Sequence, residues 1–371
     1  MVRAPIVTLL SLVLVACGGG AAAPTPTPRP SATPQPTTLA AALEAARLEE
    51  GVPGVAAAIL QDGRVVFEGA AGHAVLPDRL TRPSTLYCLA SVSKMATAAL
   101  VLRLVEERRA SLDDPLSRYV PYLPNADRIS VRLLLEHRSG LQDYLAVQDV
   151  LRKLDDPDHV WTRDEVLRAI TRANFEPGAR YQYSNTNYVA LGAVVEQAAR
   201  MPVDEAFRRL VLAPLGLRDC HYAFDAAVAP DIAHGYRYEA GRYTDTFPPD
   251  GRVPTSIWGP VWTDGGLVCN ARDTAGWTDG TLGGRLLRAE ALAEMTRFDA
   301  DGYGLGVALS NGSNGRPVWG HSGSWDGYRT ESWYDPERRL TLAVLTNGDG
   351  PGDPSSDIWL RLDAAYARGL R

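Results

Sequence analysis

The segment Ser91-Val92-Ser93-Lys94 pairs a hydroxyl with an amine at a spacing that suits acyl transfer. A serine hydroxyl is a weak nucleophile until a base sits within hydrogen-bond reach. Residues three apart share a helix face, so Ser91 and Lys94 can meet. A lysine can take the proton only when burial lowers its pKa. The start of a helix also presents unpaired backbone N–H groups to a developing oxyanion. The bland alternative is an exposed lysine behind a capping serine. Composition bears on that choice, because only two of the 38 basic side chains are lysines, Lys94 and Lys153. Arginine serves wherever charge alone is needed, but its guanidinium does not give up a proton. A lysine in so arginine-rich a chain is a candidate for a position that needs a titratable amine.

Two further clusters carry chemistry. Tyr183-Ser184-Asn185 follows the turn at Pro177-Gly178 and precedes a helix starting near Thr186. A phenol can relay a proton there, and an amide can orient both a lysine and a substrate carbonyl. Taken alone, the pair also reads as an asparagine cap beside a packed tyrosine. His321-Ser322-Gly323 follows Trp319-Gly320 at the edge of a late strand region. A glycine beside a strand lets another backbone approach closely. That suits a substrate laid along the strand edge, where His321 could donate to it or shuttle protons near neutral pH. A structural histidine is the alternative.

The elements that must position these groups are legible in outline. Residues 39 to 50 have a helical apolar period. Val55 to Leu60 and Arg64 to Gly69 flank Asp62-Gly63, a hairpin signal. Ser91 to Glu107 reads as a long helix without Gly or Pro. Helical patterns dominate from about 112 to 225, most clearly at Val131 to Glu136 and Thr186 to Arg200. Strand signals return at Tyr303 to Leu309, Tyr328 to Tyr334 and Arg339 to Leu345, the last two antiparallel about Asp335-Pro336. A helix closes the chain near 356 to 368. Strands at both ends of the chain predict one antiparallel sheet covered by the terminal helices, an α/β (α+β) fold with an inserted helical region at roughly 112–260.

The three clusters, in this order and spacing, resemble those of the penicillin-recognising serine hydrolases: class C β-lactamases, D-alanyl-D-alanine carboxypeptidases and esterases of one β-lactamase/transpeptidase-like fold. Leu112-Asp113-Asp114-Pro115, Leu134 to Leu141, Phe175 to Gly192, Gly265 to Asp273 and Tyr303-Gly304-Leu305-Gly306 strengthen the likeness. It spans 39–371. The resemblance implies that Ser91 is acylated and that Lys94 and Tyr183 share proton transfer. It implies that Asn185 positions the lysine and the substrate. The backbone N–H groups of Ser91 and Ser324 would form an oxyanion hole, with Gly323 in the substrate-binding strand. Class C β-lactamases carry lysine where this chain has His321. Histidine there resembles the carboxypeptidase and esterase branches and does not favour efficient β-lactam hydrolysis. The activity expected is carboxypeptidase-like or esterase-like, on a small-molecule or peptide substrate, with peptidoglycan one candidate. β-Lactam hydrolysis is an alternative, as is a non-hydrolytic peptidoglycan- or ligand-binding lipoprotein on the same fold.

The N-terminus reads as a targeting segment. Arg3 precedes the apolar run Ile6 to Ala16, which is too short to span a bilayer. Leu14-Val15-Ala16-Cys17 resembles a bacterial lipobox, which implies lipidation at Cys17 and cleavage after residue 16. Residues 18–38 are a Pro/Thr-rich tether ahead of a hydrolase domain at 39–371. The expected location is extracytoplasmic, lipid-anchored to a bacterial membrane. Cys88, Cys220 and Cys269 remain, and an oxidising compartment allows one disulfide among them. Cys88 reads as a small buried hydrophobe. Whether Cys220 and Cys269 pair stays open. The cysteine spacing has no metal-ligand rhythm, and no cofactor is implied. The net charge of −6 gives no reason to expect nucleic-acid binding.

Overall fold

The computed structural model describes residues 35–156, 159–222 and 231–371. The expected leader, lipobox Cys17 and most of the tether lie outside the described residues. Helix α1 (Leu39–Glu50) is capped by Thr38, whose hydroxyl accepts from the Ala41 N–H at 3.2 Å. Gly51 ends it at φ +67°, a left-handed stop open to glycine.

Seven antiparallel strands form the main sheet: β1 (Gly54–Gln61), β2 (Arg64–Val75), β3 (Arg79–Leu80), β4 (Ala308–Asn311), β5 (Pro317–Trp325), β6 (Tyr328–Asp335) and β7 (Leu340–Thr346). Their order is β3-β2-β1-β7-β6-β5-β4. The two ends of the chain thus meet at the centre of the sheet, with Val55 opposite Thr346 and Gln61 opposite Leu340. Strand β1 is apolar and buried up to Leu60 because both faces are covered. Val55, Ala57 and Ile59 pack with α1 and the C-terminal helix, and Ala56, Ala58 and Leu60 belong to the larger core on the other face.

That larger core holds α2 (Ser93–Glu106), α3 (Asn185–Ala199) and α4 (Ala271–Leu282). Helix α2 is buried almost all round, as expected for a helix apolar on every side. The C-terminal helix α5 (Pro354–Ala367) lies across the opposite face of the sheet with α1. Helices dominate the described residues from 112 to 216, and short strands follow at Cys220–Tyr222, Tyr236–Glu239 and Arg242–Asp245. Cys220–Tyr222 pairs with Leu267–Cys269 and brings Cys220 opposite Cys269, and the two form a disulfide. Cys88 is the free, buried thiol, and burial pushes its pKa up to about 12, so it stays protonated. Among the described residues, no helix is long and apolar enough to cross a membrane.

Candidate active site

Ser91 sits in a single 3₁₀ turn, Ala90–Val92, just ahead of α2. Three neighbours fix the turn. The Leu89 N–H donates to the Leu267 carbonyl at 2.8 Å, and the Thr330 hydroxyl donates to the Leu89 carbonyl at 2.8 Å. Gly323 of β5 supplies the third contact, because a Cβ there would come within 2.3 Å of the Leu89 oxygen. The sequence reading of Gly323 as a close-approach glycine thus has its partner, the nucleophile-bearing turn. Ala90 takes φ +46°, a left-handed conformation costing an L-residue about 1–2 kcal/mol. The packed turn holds it there.

Lys94, the second residue of α2, is fully buried. Its amine donates to Ser91 Oγ at 3.0 Å, Asn185 Oδ1 at 2.8 Å and the Asp264 carbonyl at 2.7 Å. Three acceptors match the three protons of an ammonium. The Tyr183 hydroxyl donates to Ser91 Oγ at 2.9 Å from the other side. Asn185 opens α3, and Asp143 Oδ2 accepts both its backbone N–H at 2.8 Å and its side-chain NH₂ at 3.0 Å. A carboxylate only accepts, so the Asn185 NH₂ faces Asp143 and its carbonyl oxygen faces Lys94. Four expected residues, from two segments up to 94 positions apart, converge on one oxygen or its immediate neighbour.

His321 lies on β5, buried, with its ring 6.2 Å from that of Tyr183. It makes no hydrogen bond to Ser91, Lys94 or Tyr183. Its Nδ1 donates to the Ser322 carbonyl, which leaves Nε2 to accept the Tyr303 hydroxyl at 3.1 Å. Burial, with the positive charge of Lys94, pushes the imidazole down to about 4. The ring is therefore neutral near pH 7. Ser324, further along the strand, lines a pocket of about 220 Å³ together with Ser91, Tyr183 and Asn185.

Four residues that motif reading assigned no role complete the site. Asp143 orients Asn185. His137 is fully buried, stacks on Tyr183 with ring centres 4.2 Å apart and accepts the Ser184 N–H on Nδ1 at 3.2 Å. It sits in the quoted stretch Leu134 to Leu141, where a histidine among leucines was the available signal. Tyr144 and Asp264 face each other, the phenol donating to Asp264 Oδ2 at 3.1 Å. Both line the pocket beside Ser91. Among the described residues, no cluster of His, Cys, Asp and Glu could hold a metal ion.

A sheet closed by both chain ends, with a hydroxyl set between an amine and a phenol at its edge, defines a serine hydrolase of the penicillin-recognising type. The chain belongs to the Beta-lactamase family, whose profile matches residues 39–366. It is 29% identical over 321 residues to a D-aminopeptidase of Brucella anthropi, covering 84% of this chain and 58% of that protein. The chain thus spans little more than half the length of that relative. Among solved structures it is similar to a D-stereospecific amidohydrolase from Streptomyces sp., with 28% identity, a TM-score of 0.74 and coverage of 88% of this chain and 97% of that one. An octameric penicillin-binding protein homologue from Pyrococcus abyssi gives 29% identity, a TM-score of 0.74 and coverage of 90% and 77%.

Proposed function

We propose that this chain hydrolyses amides through a Ser91 acyl-enzyme, on small substrates or short peptides whose acyl part is a D-amino acid with a free amine. The observation that carries the reading is Ser91 Oγ held between the Lys94 amine and the Tyr183 phenol. In this mechanism Ser91 Oγ bonds to the carbonyl carbon while its proton passes to the Lys94–Tyr183 pair, which must enter the step one proton short, as the neutral amine or the phenolate. The backbone N–H groups of Ser91 and Ser324 receive the negative charge on the carbonyl oxygen. The C–N bond then breaks and the leaving nitrogen takes the proton. Water repeats the sequence on the ester and frees the acid. Asn185 holds the lysine in line throughout. The amide and D-amino acid preferences are supported by the named activities of the D-aminopeptidase and the D-stereospecific amidohydrolase.

The test is a panel of D- and L-alanine p-nitroanilides, p-nitrophenyl esters, muropeptides ending in D-Ala-D-Ala and nitrocefin. The D-anilide should be turned over well ahead of its L-enantiomer, and nitrocefin should be slow. Ester turnover without any amide turnover would make the chain an esterase instead. Release of D-alanine from muropeptides ahead of the anilides would make it a carboxypeptidase. No turnover and no fluorophosphonate labelling would leave the ligand-binding alternative.

The proposed location is extracytoplasmic, lipid-anchored to a bacterial membrane, with Cys17 as the lipid anchor and residues 18–38 as the tether. The lipobox-like segment and the Pro-rich stretch support it. Cys17→Ser should move the protein from the membrane fraction to the soluble one. A variant that sediments with membranes as fully as wild type would rule out that anchor.

A further inference from the structure

Asp264 is buried, with 2% of its surface exposed, yet its carboxylate is only half used. Oδ2 accepts the Tyr144 hydroxyl, and Oδ1 is buried with no hydrogen-bond partner. The nearest cation, Lys94, bonds to the backbone carbonyl of Asp264 and makes no ion pair with its side chain. A buried acceptor left without a donor costs stability unless something completes it. Asp264 also lines the 220 Å³ pocket that contains Ser91. The surrounding charge points the same way. Two carboxylates, that of Asp264 and that of Asp143, which binds Asn185, repel one another here, and Lys94 is the one cation that offsets the charge of Asp264. One further positive charge would balance the site.

Resting on the function proposed above, we infer that Asp264 is a specificity-determining residue, its carboxylate receiving the free α-ammonium of the substrate's acyl residue. Covalent geometry supports this choice over a cationic side chain. An α-nitrogen lies about 2.5 Å from the acyl carbon, so its partner must share one small pocket with Ser91. A lysine or arginine side chain on the substrate would carry its charge several bonds further, beyond a 220 Å³ space. Tyr144 holds the carboxylate in place. The phenol is fully buried, and its own backbone N–H is fixed by the Thr186 hydroxyl at 2.9 Å. Burial pushes the Asp264 carboxyl up to about 7, opposed by the charge of Lys94. An arriving ammonium would favour the ionised form.

The test compares kcat/KM of the full chain on D-alanine p-nitroanilide and N-acetyl-D-alanine p-nitroanilide, which differ only in the charge and bulk of the amine. Wild type should prefer the free amine by at least tenfold. Asp264→Asn keeps the shape and the acceptor for Tyr144, and it should lower that preference by about 10- to 100-fold, the worth of a charged hydrogen bond. Fluorophosphonate labelling of Ser91 checks that the variant is folded, and Asp264→Ser replaces it if it is not. An equal fall on both anilides would make Asp264 a positioning group for Lys94 and overturn the inference. A variant that keeps the full preference would overturn it too, while leaving the proposed function standing. A wild type indifferent to acetylation would sink both the free-amine reading and the role of Asp264.

Discussion

Ser91→Ala should abolish amide turnover and covalent labelling by fluorophosphonates while leaving the protein folded. Removing the nucleophile of a comparable catalytic unit costs on the order of 10⁶ in kcat. Structural damage should be small. Ser91 Oγ bonds only to Lys94 and Tyr183 among its side-chain partners, and the turn that carries it is fixed by backbone and by Gly323. The deletion leaves Lys94 with two acceptors, the Asn185 amide and the Asp264 carbonyl. Ser93 is the rival hydroxyl. It is fully buried, and its Oγ accepts the Leu267 N–H at 3.2 Å, away from the pocket. Labelled peptides mapped by mass spectrometry decide between them. Labelling that survives Ser91→Ala and disappears in Ser93→Ala would transfer the role to Ser93. Circular dichroism and the melting temperature report whether loss of activity is loss of fold.

What the sequence revealed of this site follows from range. The terminal helices, the Asp62-Gly63 hairpin and the late strands are local patterns, and each appears within a residue or two of its expected place except two, the first being the second hairpin strand, which runs six residues beyond Gly69 to Val75. Tyr303 to Leu309 reads as a strand but forms one only at Ala308–Asn311. Gly306 at φ +73° and the Gly304 N–H bonded to the Val307 carbonyl turn the backbone there instead. The serine–lysine pair was legible because one helix supplies both groups. The 3₁₀ turn beneath Ser91 was not, because Gly323 and Thr330 impose it from more than 200 residues away. Cys220 and Cys269 left their pairing open for a similar reason, since strand register alone sets them opposite each other. Asp264 and Tyr144 carry no motif. They are 120 positions apart, and only burial in a common pocket joins them.

Lys94→Arg should be nearly as damaging as Lys94→Ala, a loss of about 10²- to 10⁴-fold in kcat/KM if the lysine must accept the Ser91 proton. Arginine keeps the charge and much of the length, but its guanidinium does not deprotonate at any working pH. The surroundings sharpen the comparison. Lys94 is enclosed, and its three hydrogen-bond acceptors suit a compact ammonium. A planar group with five N–H donors would find too few partners there, so bulk is a competing cause of inactivity. Lys94→Met separates the two, since it matches the length without charge or planar bulk. Its loss measures the amine as a whole, and fluorophosphonate labelling rates show whether Ser91 is still presented. Lys153→Arg is the control. Lys153 is part-exposed and pairs with Asp149 at 3.0 Å and Glu165 at 2.8 Å, contacts an arginine can remake. Activity should not change. Substantial turnover by Lys94→Arg together with an inactive Lys94→Met would show that positive charge alone suffices. The base would then be Tyr183, whose phenol already meets Ser91 Oγ at 2.9 Å and whose ionised form a neighbouring guanidinium could stabilise.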